Sequence, residues 1–256
     1  MPSRKQLSVL VLIPLLITAT LVFSATAATA AEPSWMESCR QLVLVTAPDW
    51  DSQTGTLRWY ERRPDSPWKK AGGPVPVTLG VHGLGWGIGL HSDDTGQSGE
   101  PVKMEGDGKA PAGAFGLPMA FAYEPNDLAG TNMPVMGVGP DLYCVDDTAS
   151  PYYNSLLRMP GNAKPWKSAE TMLRPDGVYR IGLLVPHNMK QPVPGRGSCI
   201  FMHLLKKDNA PTSGCTAMDW DTLKEIILWL TPQARPVLVQ LPDAAYGRLQ
   251  GRWNLP

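Results

Sequence analysis

Two short stretches carry the residue types that could do chemistry. The first is Gly197-Ser198-Cys199-Ile200-Phe201-Met202-His203, and the second is Ala210-Pro211-Thr212-Ser213-Gly214-Cys215-Thr216-Ala217-Met218. A histidine closes an apolar run, a polar loop follows, and a cysteine then stands in a glycine turn. That arrangement suits nucleophilic acyl transfer. A thiol attacks well only after losing its proton, and an imidazole can take that proton and later hand it to a leaving amine. Cys215 is thus the candidate nucleophile and His203 its base. A helix opening at Asp219, about one turn beyond Cys215, would favour the thiolate through its unpaired N–H groups, with the Asp219 charge partly opposing it. Gly214 permits a sharp turn in which the N–H groups of Gly214 and Cys215 converge as an oxyanion hole, and the Ser213 hydroxyl could assist.

Plainer readings fit the same residues. A cysteine in such a turn can be a small buried side chain, and a strand histidine a hydrogen-bonded core residue. A zinc site is the chemical competitor, built from Cys199, His203 and Cys215 with His187 as fourth ligand. Strand geometry opposes it: residues four apart on a strand are separated by roughly 13 Å, too far for one ion. No metal and no cofactor is therefore expected.

The elements that must hold these residues read mainly as strands. Gln41–Thr46 and Thr56–Arg62 flank a stretch with turn chemistry, Asp49-Trp50-Asp51-Ser52-Gln53-Thr54-Gly55, and predict a hairpin. Val75–Val81, Tyr179–Pro186, Cys199–Leu205 and Pro236–Leu241 are further strand candidates. Residues 92–118 read as a polar, Gly/Pro-laden connection, long enough to suggest function. Two helices are predicted. Lys167–Leu173 stops at Arg174-Pro175, and Asp219–Leu230 places Leu223, Ile226, Ile227 and Leu230 at helical spacing before Thr231-Pro232.

Composition agrees with a turn-rich β protein: 25 glycines, 26 prolines and 18% charged residues in a chain of 256. Its 43% apolar content and nine tryptophans supply a core rather than a disordered chain. Lys plus Arg and Asp plus Glu are 23 each, so nothing in the charge balance points to nucleic acid. Gly83–Gly89 lacks the Gly-Lys-Ser/Thr end of a phosphate loop, so no nucleotide is expected. At the N-terminus Arg4 and Lys5 precede an apolar run, then Ala25-Thr26-Ala27 and Ala28-Thr29-Ala30. Residues 1–31 therefore read as a signal peptide, with an uncleaved anchor as the competing reading. Either places residues 32–256, one domain, outside the cytoplasm, in the periplasm or cell envelope. Four cysteines in an exported chain raise the question of disulfides. A Cys39–Cys144 bridge, tying the first strand to the middle of the chain, would leave Cys199 and Cys215 free.

The stretch from Cys199 to Met218 resembles the signature of the L,D-transpeptidase catalytic domain: a strand histidine (His203), a loop, then Ser213-Gly214-Cys215. Further pieces resemble its compact exported members. They are Gly85-Trp86-Gly87 with Gly89-Leu90-His91, the run from Glu105 through Lys109 to Gly113, and Tyr143-Cys144-Val145-Asp146-Asp147. Together they span roughly residues 39–256. The resemblance implies a mainly β (α+β) fold, a mixed-sheet sandwich or partly closed barrel with two or three peripheral helices. It also implies a monomer that acts on peptidoglycan stem peptides through a Cys215 thioester. An amine acceptor would give a cross-link, and water would give carboxypeptidase activity. Lys103, Glu105 and Lys109 would meet the charged ends of the stem, with His91 a further substrate-binding candidate. One departure stands out: many members carry His immediately before the Gly-Cys pair and Arg soon after it, where this chain has Ser213 and no arginine. A wall-binding protein without chemistry is the alternative from another class.

Overall fold

A computed structural model describes residues 33–92, 95–161 and 164–256. The signal-peptide reading of residues 1–31 lies outside them. The fold is mainly β, with a large mixed sheet and three α-helices among the described residues. None of those helices is long and apolar enough to cross a membrane.

Among the described residues, fourteen strands make two sheets. In chain order they are β1 Gln41–Ala47, β2 Thr54–Glu61, β3 Lys69–Thr78, β4 Leu84–Trp86, β5 Ala110–Gly116, β6 Ala120–Ala122, β7 Val135–Gly137, β8 Leu142–Cys144, β9 Leu156–Arg158, β10 Glu170–Thr171, β11 Ile181–Leu184, β12 Phe201–Leu204, β13 Thr216–Met218 and β14 Val237–Pro242. The large sheet runs β4-β5-β14-β1-β2-β3-β13-β12-β11-β6-β7, and β10-β8-β9 form the small one. The helices are α1 Ser34–Ser38, α2 Trp220–Trp229 and α3 Asp243–Leu249.

The predicted hairpin forms: β1 and β2 pair antiparallel, with Leu44 opposite Arg58 and Val45 opposite Leu57. β1 is buried almost throughout because it also pairs with β14 on its other side. Three expectations are corrected. β3 begins at Lys69 rather than near Val75, and its Pro74 and Pro76 are tolerated because β13 reaches it only at Thr78. The connection predicted over 92–118 contains β5, a fully interior strand between β4 and β14. Its small residues conceal it from a propensity reading. They are needed there, since a Cβ on Gly113 would collide with the His91 ring. The helix predicted over Lys167–Leu173 is absent: Glu170–Thr171 pair with β8 as β10 instead.

Around β11–β13 the two-residue period of strands sorts side chains onto opposite faces. Ile181, Leu183 and Met202 join the main core with Leu223, Ile226 and Ile227 of α2. Leu184 and Phe201 point the other way, into a second cluster with Phe121, Tyr179 and Cys215. α2 itself starts as predicted: the Asp219 carboxylate accepts the Thr222 N–H at 2.9 Å and caps the helix.

The disulfide expectation is also corrected. The bridge joins Cys144 to Cys199, with Cα atoms 5.8 Å apart, while Cys39 and Cys215 are free thiols. It ties the end of β8, in the small sheet, to the approach to β12 in the large one.

Candidate active site

Register brings the two predicted catalytic residues onto one face. β12 and β13 are parallel, with His203 beside Ala217. Cys215 lies two residues before Ala217, so its side chain shares the face that carries Phe201 and His203. Both line one cavity of about 160 Å³. Lys103, Glu105, Ser213 and Gly214 line it too; His91 and Lys109 do not.

His203 is 3% exposed, and its Nδ1 lies 2.7 Å from the Leu204 carbonyl. A carbonyl only accepts, so Nδ1 carries the proton and Nε2 keeps the lone pair in the neutral ring. The Tyr179 ring packs edge-on against the imidazole at 5.2 Å. Burial foremost, opposed by the Leu204 bond, holds the His203 pKa down at about 4. The Cys215 sulfur accepts the Phe201 N–H at 3.4 Å and lies 3.7 Å from the Cys199 carbonyl, to which the thiol donates. Burial, then the charge of Glu170, pushes that thiol up to about 12; the Phe201 N–H, Lys103 and the Tyr179 hydroxyl act the other way. At neutral pH the pair therefore rests as thiol and neutral imidazole, not as an ion pair.

Two features of the predicted machinery differ. Residues 216–218 between Cys215 and α2 form β13, an extended segment of roughly 10 Å. The helix field fades within its first turn, and α2 packs on the opposite face, so the dipole does not act on this thiol. The Gly214 N–H is also already bonded, to the Thr212 hydroxyl at 3.1 Å. That hydroxyl in turn donates to the Cys215 carbonyl at 2.7 Å and so fixes the turn. The Cys215 N–H and the exposed Ser213 hydroxyl remain as candidate oxyanion donors. Gly214 serves the turn itself: its φ is +145°, and a Cβ there would press on the Lys109 carbonyl.

The charged candidates separate. Lys103 is 3% exposed and bonded to Asp107 at 2.5 Å, and the Asp107 carboxylate also accepts the Met104 and Lys109 N–H groups. Glu105 accepts from Ser198 at 2.8 Å and from Tyr153. Lys109 reaches out instead, to the His82 carbonyl at 2.7 Å and the exposed Asp51 at 3.8 Å. His91 belongs to a different place. Its Nδ1 accepts the Ala114 N–H, its Nε2 donates to the Gly87 carbonyl, and its ring lies among Trp86, Phe115 and Trp253. It faces a second, larger cavity of about 740 Å³. The zinc alternative loses Cys199 to the disulfide, and both His187 nitrogens are engaged, with Ile88 N–H and the Arg196 carbonyl.

Sequence reading missed Glu170, Tyr179, Asp146, Arg174 and Lys206, all of which line the Cys215 cavity. Tyr179 reads in sequence only as the start of a strand, which in fact begins at Ile181, and Glu170 fell within a helix that does not form. No protein-family model matches the chain, and a search of curated proteins finds no match.

Proposed function

We propose that the protein is an exported cysteine acyltransferase acting on peptidoglycan stem peptides, an L,D-transpeptidase with Cys215 as nucleophile. The observation that carries this reading is the shared cavity: a free thiol and an imidazole with an available Nε2 lone pair face one hollow. The other cysteine that lines it, Cys199, is held in a bridge. The remaining support is the motif resemblance and the N-terminal sequence.

In this mechanism the Cys215 proton moves to His203 Nε2 as sulfur attacks the carbonyl carbon of a donor stem. The buried pair favours transfer during attack rather than a standing thiolate. Negative charge on the carbonyl oxygen is met by the Cys215 N–H and the Ser213 hydroxyl. Collapse breaks the C–N bond, and the imidazolium gives its proton to the departing amine, leaving a thioester. A second amine then attacks the thioester with His203 again as base, and the sulfur leaves as the thiol. Water in place of that amine gives the carboxypeptidase outcome. No nucleotide enters, because the thioester retains the acyl-transfer potential of the cleaved amide.

Purified muropeptides incubated with the wild-type protein and with Cys215→Ala, followed by mass spectrometry, test this. The expected result is cross-linked or trimmed products from the wild type alone, with an intact-mass acyl adduct that Cys215→Ala abolishes. Identical product profiles from both proteins would overturn the reading in favour of a binding module.

A further inference from the structure

A half-buried carboxylate and a buried phenol beside the nucleophile have no part in the mechanism above. Tyr179 is 4% exposed, wedged edge-on between the Phe201 ring at 5.3 Å and the His203 ring at 5.2 Å. Its hydroxyl donates to Glu170 Oε2 at 2.6 Å. Glu170, Tyr179, His203 and Cys215 all line the same cavity. Tyr179 and Cys215 pack in one buried cluster, where the hydroxyl favours the thiolate and the Glu170 charge disfavours it. A phenol has one proton to donate, so the carboxylate and a thiolate compete for it.

We propose that the Tyr179 hydroxyl, parked on Glu170 in the resting protein, turns to the Cys215 sulfur when the thiolate forms, so that Tyr179 and Glu170 act as opposed positioning residues for the nucleophile. The aromatic wedge between Phe201 and His203 fixes the ring. Glu170 keeps the thiol quiet while the cavity is empty, which suits a free thiol outside the cytoplasm. Other titratable groups facing this cavity are Lys103, Glu105, Asp146, Arg174, His203 and Lys206. Arg174 also stacks over the Tyr179 ring at 5.2 Å and is paired with Asp176. These surroundings are common to both variants below and cancel in the comparison.

The proposal rests on the acyltransferase reading only for its purpose; its test needs no substrate. Tyr179→Phe and Glu170→Gln keep ring packing and an acceptor, respectively. Alkylation of Cys215 by iodoacetamide would be followed by peptide mass spectrometry from about pH 7 to about pH 10, where the rate tracks the thiolate fraction. Peptide mapping separates this adduct from one at Cys39. Relative to wild type, the Tyr179→Phe profile is expected at higher pH and the Glu170→Gln profile at lower pH, each by roughly half to one unit. Unchanged profiles, or displacement of both in the same direction, would overturn the proposal. A variant that fails to fold leaves the other decisive, because each sign is specified separately. Failure of the muropeptide assay with opposed profiles intact would reject the substrate reading alone.

Discussion

On one side of β11 and β12, Ile181, Leu183 and Met202 meet Leu223, Ile226 and Ile227 of α2, hydrocarbon against hydrocarbon. On the other side, the same backbone carries Phe201 and His203 towards Tyr179, Glu170 and Cys215, where titratable groups are buried around a small hollow. Neighbouring residues of one strand thus serve opposite ends. The α2 face stabilises by removing apolar surface from water. The cavity face gives up part of that stabilisation by burying an imidazole held neutral, a thiol and a carboxylate whose pKa burial raises. A packing role alone is met better by apolar side chains, so the proposed chemistry rests on the second face.

Replacing His203 by Phe is the largest expected disturbance of that contrast. Acyl transfer should fall by roughly 10²–10⁴-fold, the usual worth of a positioned acid–base group. Stability should move the other way in acid. The folded-state value of about 4 lies below the ordinary 6.5, so on acidification the unfolded chain binds the proton first. The His203 contribution is complete above about pH 6.5 and drains as pH falls towards about 4. His203→Phe removes this loss, while His187, also held at about 4 by burial, retains its own. Urea midpoints at neutral pH and at about pH 5 check the sign. A variant that loses more stability than wild type on acidification would contradict the assigned protonation state.

Adjacent residues Phe201 and Met202, each fully buried, separate the two faces more finely. Phe201→Ala should lower unfolding stability by about 3–5 kcal/mol and Met202→Ala by about 2–5 kcal/mol. Only Phe201→Ala should also slow turnover, because the Phe201 ring supports Tyr179, and the Tyr179 ring abuts His203. Equal kinetic damage from both, measured where each variant is fully folded, would erase the functional distinction between the faces.

The bridge that borders the cavity comes next in size. Changing Cys144 and Cys199 together to Ser should lower stability by roughly 2–4 kcal/mol, through a loop spanning 55 positions. Cys39→Ser, which removes a buried free thiol, should leave the thermal effect of a reductant intact. Melting with and without reductant distinguishes the Cys144–Cys199 bridge from the pairing through Cys39 that position along the chain had suggested.

How much of this could be read beforehand depends on how local the cause is. The β-branched and aromatic content of Cys199–Leu205, the helical spacing from Leu223 to Leu230 and the turn before Thr56 are local signals, and the corresponding elements form. That His203 and Cys215 face one cavity was suggested by the strand, loop and glycine turn only together with the family resemblance those residues carry. β5 was not, because its Ala and Gly residues are dictated by the His91 ring and by strands distant in sequence. Glu170 and Tyr179 were equally hidden. Their roles arise from β10 pairing with β8 and from the aromatic packing at Phe201 and His203. Cysteine pairing also depends on tertiary approach, which spacing does not encode.

Lys109 should produce the smallest effect, and for that reason it sharpens the boundary of the site. It lies in the same short loop as Lys103 and Glu105, yet its ammonium points away from the cavity, towards the His82 carbonyl and a 93% exposed Asp51 carboxylate. Solvent screens such a pair, which contributes at most about 0–1 kcal/mol. Lys109→Ala should leave both the Cys215 adduct rate and turnover within about twofold, with stability changed by no more than about 1 kcal/mol. Lys103→Ala, in contrast, unpairs the half-buried Asp107 carboxylate that organises the loop and should be clearly destabilising. A large kinetic effect at Lys109 with normal stability would extend the chemical face past the cavity wall, onto a surface where the geometry places only solvent.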